Sequence, residues 1–338
     1  MNENSLRETV AKIAVPGRGI LAADESGATI KKRFDDIKLE STEENRRAYR
    51  DLLFTTPHLR QYLSGVILFE ETLHQKTNDG MPFPAYLASQ GVLAGIKVDE
   101  GLIPLALANN EETTQGLDSL AHRLTDYKKT GVKFAKWRCV YHIGVNKPSI
   151  TIVHTNAELL ARYAAICQSE DIVPIVEPEI LMDGDHSIER CAKITEMVLR
   201  QVFIALRRHR VVLEGMILKP NMTIPGNKHK EANPQTIAQA TVRVLQYVVP
   251  AAVPSINFLS GGQTPEQATV NLNAMHQLGA LPWNLSFSYG RALQEPVLQT
   301  WQGKSANVPA AQAAFTKRVR LNSAASLGQY TSDMESGD

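Results

Sequence analysis

Short apolar runs rich in β-branched residues alternate along the chain with longer segments in which apolar positions return every three or four residues. The runs are GRGILAAD, ending at Asp24, GVILFEE (Glu71), LAGIKVD (Asp99) and FAKWRCV (Val140), then IVPIVEPEI (Ile180), LEGMILKP (Pro220), SINFLSGG (Gly262) and WNLSFSYG (Gly290). They read as eight strands, and the periodic segments between them as helices with identifiable starts. Thr264-Pro265-Glu266-Gln267 offers a cap, a proline in the first turn and a capping-box glutamine, with Leu272, Met275 and Leu278 following at helical spacing. Asn233-Pro234 opens another helix, with Ile237, Ala240, Thr241, Val244, Leu245 and Val248 on one stripe. Ser41 with Glu44 makes a third capping box, ahead of Tyr49, Leu52 and Leu53.

Strands in alternation with helices imply parallel pairing through right-handed crossovers, and eight such units are the number at which the sheet closes into a (β/α)8 TIM barrel. A doubly wound open sheet would place a glycine-rich turn after the first strand, whereas GRGILAAD carries its glycines before it. The expectation is one domain over residues 1–338, with barrel strands between about 17 and 290. An extra helix precedes them in MNENSLRETVAKIAVPGRG, and helices and a tail follow over 291–338, the polar end SLGQYTSDMESGD being expected to be mobile.

Composition narrows the class. An apolar fraction of 43% supports a large core, and a formal charge of +1 with interspersed acids and bases argues against a nucleic-acid footprint. No apolar stretch is long enough to span a bilayer, and the amino-terminal segment lacks the apolar run of a signal peptide. Cys139, Cys167 and Cys191 are odd in number and widely spaced, which suits reduced thiols in a cytoplasmic protein.

Chemistry in a barrel collects where strands end and the following loops begin. Those ends carry Asp24, Lys97 with Asp99, Lys136 with Arg138, Glu177 with Glu179, and Lys219. Residues two apart on a strand share a face, so neighbouring strands aim these charges into a common interior. As a device for stability alone, so many buried charges gain nothing over apolar packing. Lys219, Lys97 and Lys136 in one cavity would disfavour each other's protonation, and desolvation pushes the same way. A neutral lysine is a nucleophile toward a carbonyl carbon, and the resulting iminium accepts the electron pair of an adjacent C–C bond. Glu177 and Glu179 would supply proton transfer and orient the amine, while Asp24 could take a hydroxyl proton as that bond breaks.

The last two strand ends suggest an anion. Ser260-Gly261-Gly262 exposes backbone N–H groups before a helix start, and Ser288, Gly290 and Arg291 lie at the next strand end. A second cationic cluster, Ser26, Thr29, Lys32 and Arg33, follows the first strand. Two phosphate-reading regions flanking a Schiff-base lysine would suit a ketose bisphosphate.

The motifs LAADES, GIKVD, FAKWRC, VEPEI, LKPNM, FLSGGQ and SYGRAL, in this order, closely resemble class I fructose-1,6-bisphosphate aldolase of the eukaryotic-type lineage. The resemblance runs from about Gly17 to about Gln329 and includes the non-catalytic TEENRR and TTQGLD. It implies Lys219 as the Schiff-base lysine, Glu177 as the main acid/base, Glu179 as its partner on the lysine, and Asp24 at the C4 hydroxyl, with Lys136 and Arg138 supporting charge. It further implies Ser260, Gly261, Gly262, Ser288, Gly290 and Arg291 at the C1 phosphate, and Ser26, Thr29, Arg33, Lys97 and Arg46 on the C6-phosphate side. The substrates implied are phosphorylated ketoses and triose phosphates, without metal or cofactor, nucleic acid or membrane partner, in a homotetramer. Departures from the family pattern are Gly27-Ala28-Thr29 after LAADES, a shorter loop after LKPNM, and a chain ending Glu335-Ser336-Gly337-Asp338 where animal-type members end in tyrosine.

Two rivals remain. A zinc aldolase needs a compact histidine-based ligand set, and only Asp183-Gly184-Asp185-His186 approaches one; a polar turn explains that stretch better. A catalytically silent phosphosugar-binding or scaffold barrel would keep the phosphate loops but has no need of Lys219, Glu177, Asp24 and Lys136 together.

Overall fold

The computed structural model describes residues 1–336; Gly337 and Asp338 lie outside the described residues. Its strands are β1 (Gly19–Ala23), β2 (Leu63–Leu68), β3 (Leu93–Lys97), β4 (Leu102–Pro104), β5 (Glu112–Thr114), β6 (Phe134–Tyr141), β7 (Val173–Ile180), β8 (Ile217–Leu218), β9 (Ser255–Phe258) and β10 (Asn284–Tyr289). Eight of them close into a parallel barrel in the order β1-β2-β3-β6-β7-β8-β9-β10, with β10 pairing back onto β1. These are the eight runs of the sequence reading, and the fold is the (β/α)8 barrel.

Three local differences have physical causes. The run LEGMILKP yields only a two-residue strand, because Leu213–Gly215 winds as a 3₁₀ turn and Pro220 has no N–H to continue a ladder. Its neighbours hold it nonetheless: Lys219 N–H donates to the Val176 carbonyl at 2.8 Å, and Leu259 N–H donates to the Pro220 carbonyl at 3.0 Å. The antiparallel hairpin β4–β5 is invisible in the pattern, since three-residue strands containing Pro104 and a polar ETT show no alternation worth reading. The helix Glu43–Phe54 is capped by Thr42, whose hydroxyl accepts from Asn45 N–H at 3.1 Å, and not by Ser41. The other two caps are as expected: Thr264 and Gln267 form a reciprocal capping box, and Asn233 accepts from Thr236 N–H at 2.8 Å.

The helix Glu3–Ile13 turns Leu6, Val10 and Ile13 onto the amino end of the barrel, against Ile20, Ile67, Phe134, Val173, Ile175 and Ile217. That end is plugged by apolar side chains, so only the carboxyl end is left for polar chemistry. The tail is docked through its last described turn, which corrects the expectation of mobility for residues up to Ser336. Buried Arg318 holds Glu335 through two contacts of 2.8 Å, and Tyr330, itself buried, donates its hydroxyl to Glu335 at 3.1 Å. All three cysteines are free and buried. Among the described residues no helix is long and apolar enough to cross a membrane.

Glycine shapes the barrel floor. Gly95 pairs in register with Phe134, and a β-carbon on it would lie 2.1 Å from the Phe134 ring; Gly65, one strand further, would meet the same ring at 2.9 Å. One aromatic ring therefore occupies the space that two neighbouring strands vacate. Gly95→Ala should overpack the floor and cost about 1–3 kcal/mol, measured as a lower urea midpoint at unchanged slope; unaltered stability would mean the ring does not fill that space.

Candidate active site

The carboxyl ends of β1, β3, β6, β7 and β8 supply a chain of alternating charges. Lys136 Nζ lies 2.7 Å from Asp24 Oδ2 and 3.1 Å from Glu177 Oε2; Lys219 Nζ lies 3.2 Å from Glu177 Oε1. Lys219 is 3% exposed, and Lys136 and Glu177 are each 4% exposed. Register accounts for the convergence: Lys97 pairs with Lys136 across β3 and β6, and Arg138 pairs with Glu177 across β6 and β7, so these side chains enter at neighbouring levels. Glu177 Oε2 has no geometrically good hydrogen bond, and Lys136 holds it by charge alone. One carboxylate thus stands between two lysine nitrogens.

Electrostatics here differ from the sequence expectation in one respect. Burial would lower the Lys136 ammonium, but Asp24, Glu177 and Asp99 outweigh it and push Lys136 well above the usual lysine range. Crowding does not neutralise Lys136. A count of lysines along the sequence overlooks the carboxylates that other strands interleave between them. Burial would likewise raise Asp24, and the charges of Lys136, Lys219 and Lys97 hold it well below the usual carboxylate range. Lys136 is a fixed cation and Asp24 a fixed anion, with Lys219 beside them contacting a single carboxylate.

Arg138 and Glu179 form a second pair on the same strands, and Glu179 turns to Arg138 and not to Lys219. Burial opposes the Arg138 charge, but Glu179, Glu177 and Asp99 raise it. Lys97 Nζ reaches its own loop, 2.6 Å from Asp99 Oδ1. Asp99, which the sequence reading left without a role, also accepts from the Arg138 N–H at 3.4 Å and so ties β3 to β6 at the mouth. Its signal was present in the i, i+2 spacing of GIKVD.

The anion loops form one arc. Because β10 lies between β9 and β1, the loops after these three strands are neighbours. Ser260 is buried and its carbonyl accepts from Gln263 N–H at 2.9 Å. Gly262 takes the left-handed conformation (φ 76°), and Met182 occupies the place its side chain would fill, 1.5 Å from a β-carbon there. Gly261 precedes it half-buried. Arg291 donates to the Gln263 carbonyl at 3.2 Å, linking the two loops, and the buried Ser288 hydroxyl has no partner among the described residues.

Arg33 reaches this arc from the helix after β1. Its Nη2 lies 3.7 Å from where a Gly290 β-carbon would sit. Ser26 caps the helix Gly27–Asp35 and its hydroxyl lies 3.1 Å from that of Thr29, so both are helix-start residues at the mouth. Arg46 is engaged by Glu71, with Nε 2.7 Å from Oε1. The sequence reading missed Glu25, a buried carboxylate next to Asp24 that contacts both Arg33 and Arg50. Its charge inside an apolar strand end was the available signal.

Among the described residues no group of three or more His, Cys, Asp or Glu is arranged to hold a metal ion. The Asp183–His186 stretch is a turn, where Gly184 N–H donates to Asn227 at 3.1 Å and the Gly184 carbonyl accepts from Lys228 N–H at 2.9 Å. The arrangement can form an iminium on a buried lysine, shuttle its protons through Glu177, and hold an anion at the opposite rim.

Known proteins agree with that chemistry. The family model described as fructose-bisphosphate aldolase class-I matches residues 5–338. The chain is 57% identical over 336 residues to the cytosolic fructose-bisphosphate aldolase 6 of Arabidopsis thaliana, covering 99% of this chain and 94% of that protein. It is 55% identical over 330 residues to the fructose-bisphosphate aldolase of Drosophila melanogaster, covering 97% and 91%. The solved fructose-bisphosphate aldolase of Plasmodium falciparum superposes with a TM-score of 0.96 at 52% identity, over 97% of this chain and 95% of that one. On the strength of fold, charge arrangement and these matches, the chain belongs to the class I fructose-bisphosphate aldolase family.

Proposed function

We propose that Lys219 is the nucleophile with which this lyase cleaves fructose 1,6-bisphosphate reversibly into dihydroxyacetone phosphate and glyceraldehyde 3-phosphate. The observation that carries the assignment is the buried Lys219–Glu177–Lys136–Asp24 relay. Glu177, 3.2 Å away, takes a proton from Lys219; the freed amine adds to the C2 ketone and passes a second proton to the C2 oxygen, and Glu177 returns the first to the departing hydroxyl, leaving water and the iminium. Glu177, now a carboxylate, removes the C4 hydroxyl proton while the Asp24 anion orients that hydroxyl; the C3–C4 bond breaks, and its electron pair moves into the iminium to give an enamine. Lys136 holds Asp24 as an anion and stabilises Glu177 each time it returns to the carboxylate. The aldehyde departs, protonation at C3 restores the iminium, and water releases the second triose phosphate. The rim residues Ser260, Gly261, Gly262, Ser288, Gly290, Arg291 and Arg33 take the phosphates, with Ser26, Thr29 and Lys97 completing the mouth. Arg46, already held by Glu71, is the outlying member. A silent scaffold would have no use for so complete a relay.

We further propose a homotetramer in the cytoplasm, the compartment for which several relatives are named. A closed assembly of four copies built on two-fold axes needs two different self-matching patches. Ile204 and Tyr247 are exposed in one groove on the outer face of the helices Ile188–Arg208 and Pro234–Val248. Leu107 and Val145 are exposed on two loops that touch through Lys147–Asn110 and Ser149–Glu111.

Borohydride added with dihydroxyacetone phosphate should attach the triose covalently to Lys219, located by peptide mass mapping; labelling at another lysine, or none, removes the mechanism. Glu177→Gln should lower kcat by roughly 10²–10⁴-fold, seen in steady-state cleavage assays, and near-parental kcat would deny it the proton-transfer role. Ile204→Glu should convert tetramers to dimers in light scattering after size exclusion. A parent protein that runs as a monomer at micromolar concentration would end the assembly proposal.

A further inference from the structure

Glu25 follows Asp24 at the end of β1 but points the other way, out of the barrel interior and into the seam between β1 and the helices Gly27–Asp35, Glu43–Phe54 and Arg291–Trp301. It is 8% exposed. Its Oε2 lies 2.6 Å from Arg50 Nη2, and its Oε1 accepts from Arg33 and, at 2.8 Å, from Gln294 Nε2. Gln294 is itself fixed: Nε2 also donates to the Ala22 carbonyl at 2.7 Å, and Oε1 accepts from the Tyr49 hydroxyl at 3.0 Å. Burial would raise the Glu25 carboxyl, but Arg33 and Arg50 outweigh it and keep it ionised.

Two guanidinium groups share this one carboxylate, so one positive charge is left over. The two arginines are not equivalent. The Arg50 side chain is 3% exposed and cannot leave, whereas that of Arg33 is 21% exposed and sits over Gly290 at the mouth. The surplus charge is therefore within reach of a ligand only at Arg33. We propose that Glu25 is a positioning residue: it seats Arg33 over Gly290 as a phosphate-reading cation, and because Arg50 shares the same carboxylate the Arg33 charge is not fully neutralised. The inference rests on reading the mouth as a site for a bisphosphorylated ketose.

Steady-state kinetics with fructose 1,6-bisphosphate on the parent, E25Q, R33A and E25Q/R33A, each with a melting temperature, test the idea. E25Q should raise KM about tenfold, the size of one misplaced charge-assisted contact, and lower kcat by no more than about twofold. In the R33A background the same change should add less than about twofold. E25D keeps the charge and should recover most of the KM loss. An E25Q penalty that is equal with and without Arg33 overturns the proposal. So does a loss confined to kcat, which would tie Glu25 to Asp24 instead. Should E25Q fail to fold because Arg50 is left unpaired, E25Q/R50M removes that buried cation as well and carries the same comparison. Borohydride trapping on Lys219 in the parent reports separately on the reaction, so failure there is distinguishable from failure of the KM comparison.

Discussion

The structure depends on one carboxylate shared by two lysines in a dry place. Glu177 stands between Lys136 and Lys219, and each lysine is almost fully buried. A buried ammonium without a partner is strongly unfavourable, and so is a buried carboxylate without one. Each charge in the relay is tolerable because a different strand supplies its neighbour. The neighbouring strands β6, β7 and β8 bring Lys136, Glu177 and Lys219 together, and barrel closure adds Asp24 from β1 across the interior.

The partition of partners within that relay separates the roles. Lys136 has two carboxylates within ion-pair distance and is held as a cation, while Lys219 has one. A permanent cation beside a second amine favours charge on the carboxylates between them and provides an electrostatic floor for an oxyanion formed during reaction. Arg138 and Glu179 repeat the theme one step outward, neutralising each other at the wall of the mouth. The polar rim is equally collective. Arg291 reaches from the loop after β10 to the carbonyl of Gln263 after β9, and Arg33 leans over Gly290 from the helix after β1. Three loops that are remote in sequence thus present one polar edge.

Much of the fold could be read directly. Six of the eight barrel strands lie within the runs picked out by their apolar content, and β2 and β6 overrun theirs by two residues and one, because parallel strands covered on both faces must be apolar nearly throughout. Capping chemistry was readable where side chain and backbone are three residues apart, as at Thr264 and Asn233. It slipped by one at Ser41 because Thr42 offers an equivalent hydroxyl beside it. The hairpin β4–β5 left no trace, since strands of three residues carry no period. The tail was judged by its polarity, yet Arg318 and Tyr330 give Glu335 a buried partner and hold it down.

By itself the sequence determined which side chains stand at strand ends, since alternation and strand length are local properties of the chain. It also carried the family, because seven motifs in order leave little freedom. The tertiary structure alone decided who pairs with whom. That Lys136 is a fixed cation, that Glu179 turns to Arg138, and that Arg33 joins Gly290 follow from which strands become neighbours on closure. Ionisation depends on distances between residues far apart in sequence, and spacing along a chain does not contain them.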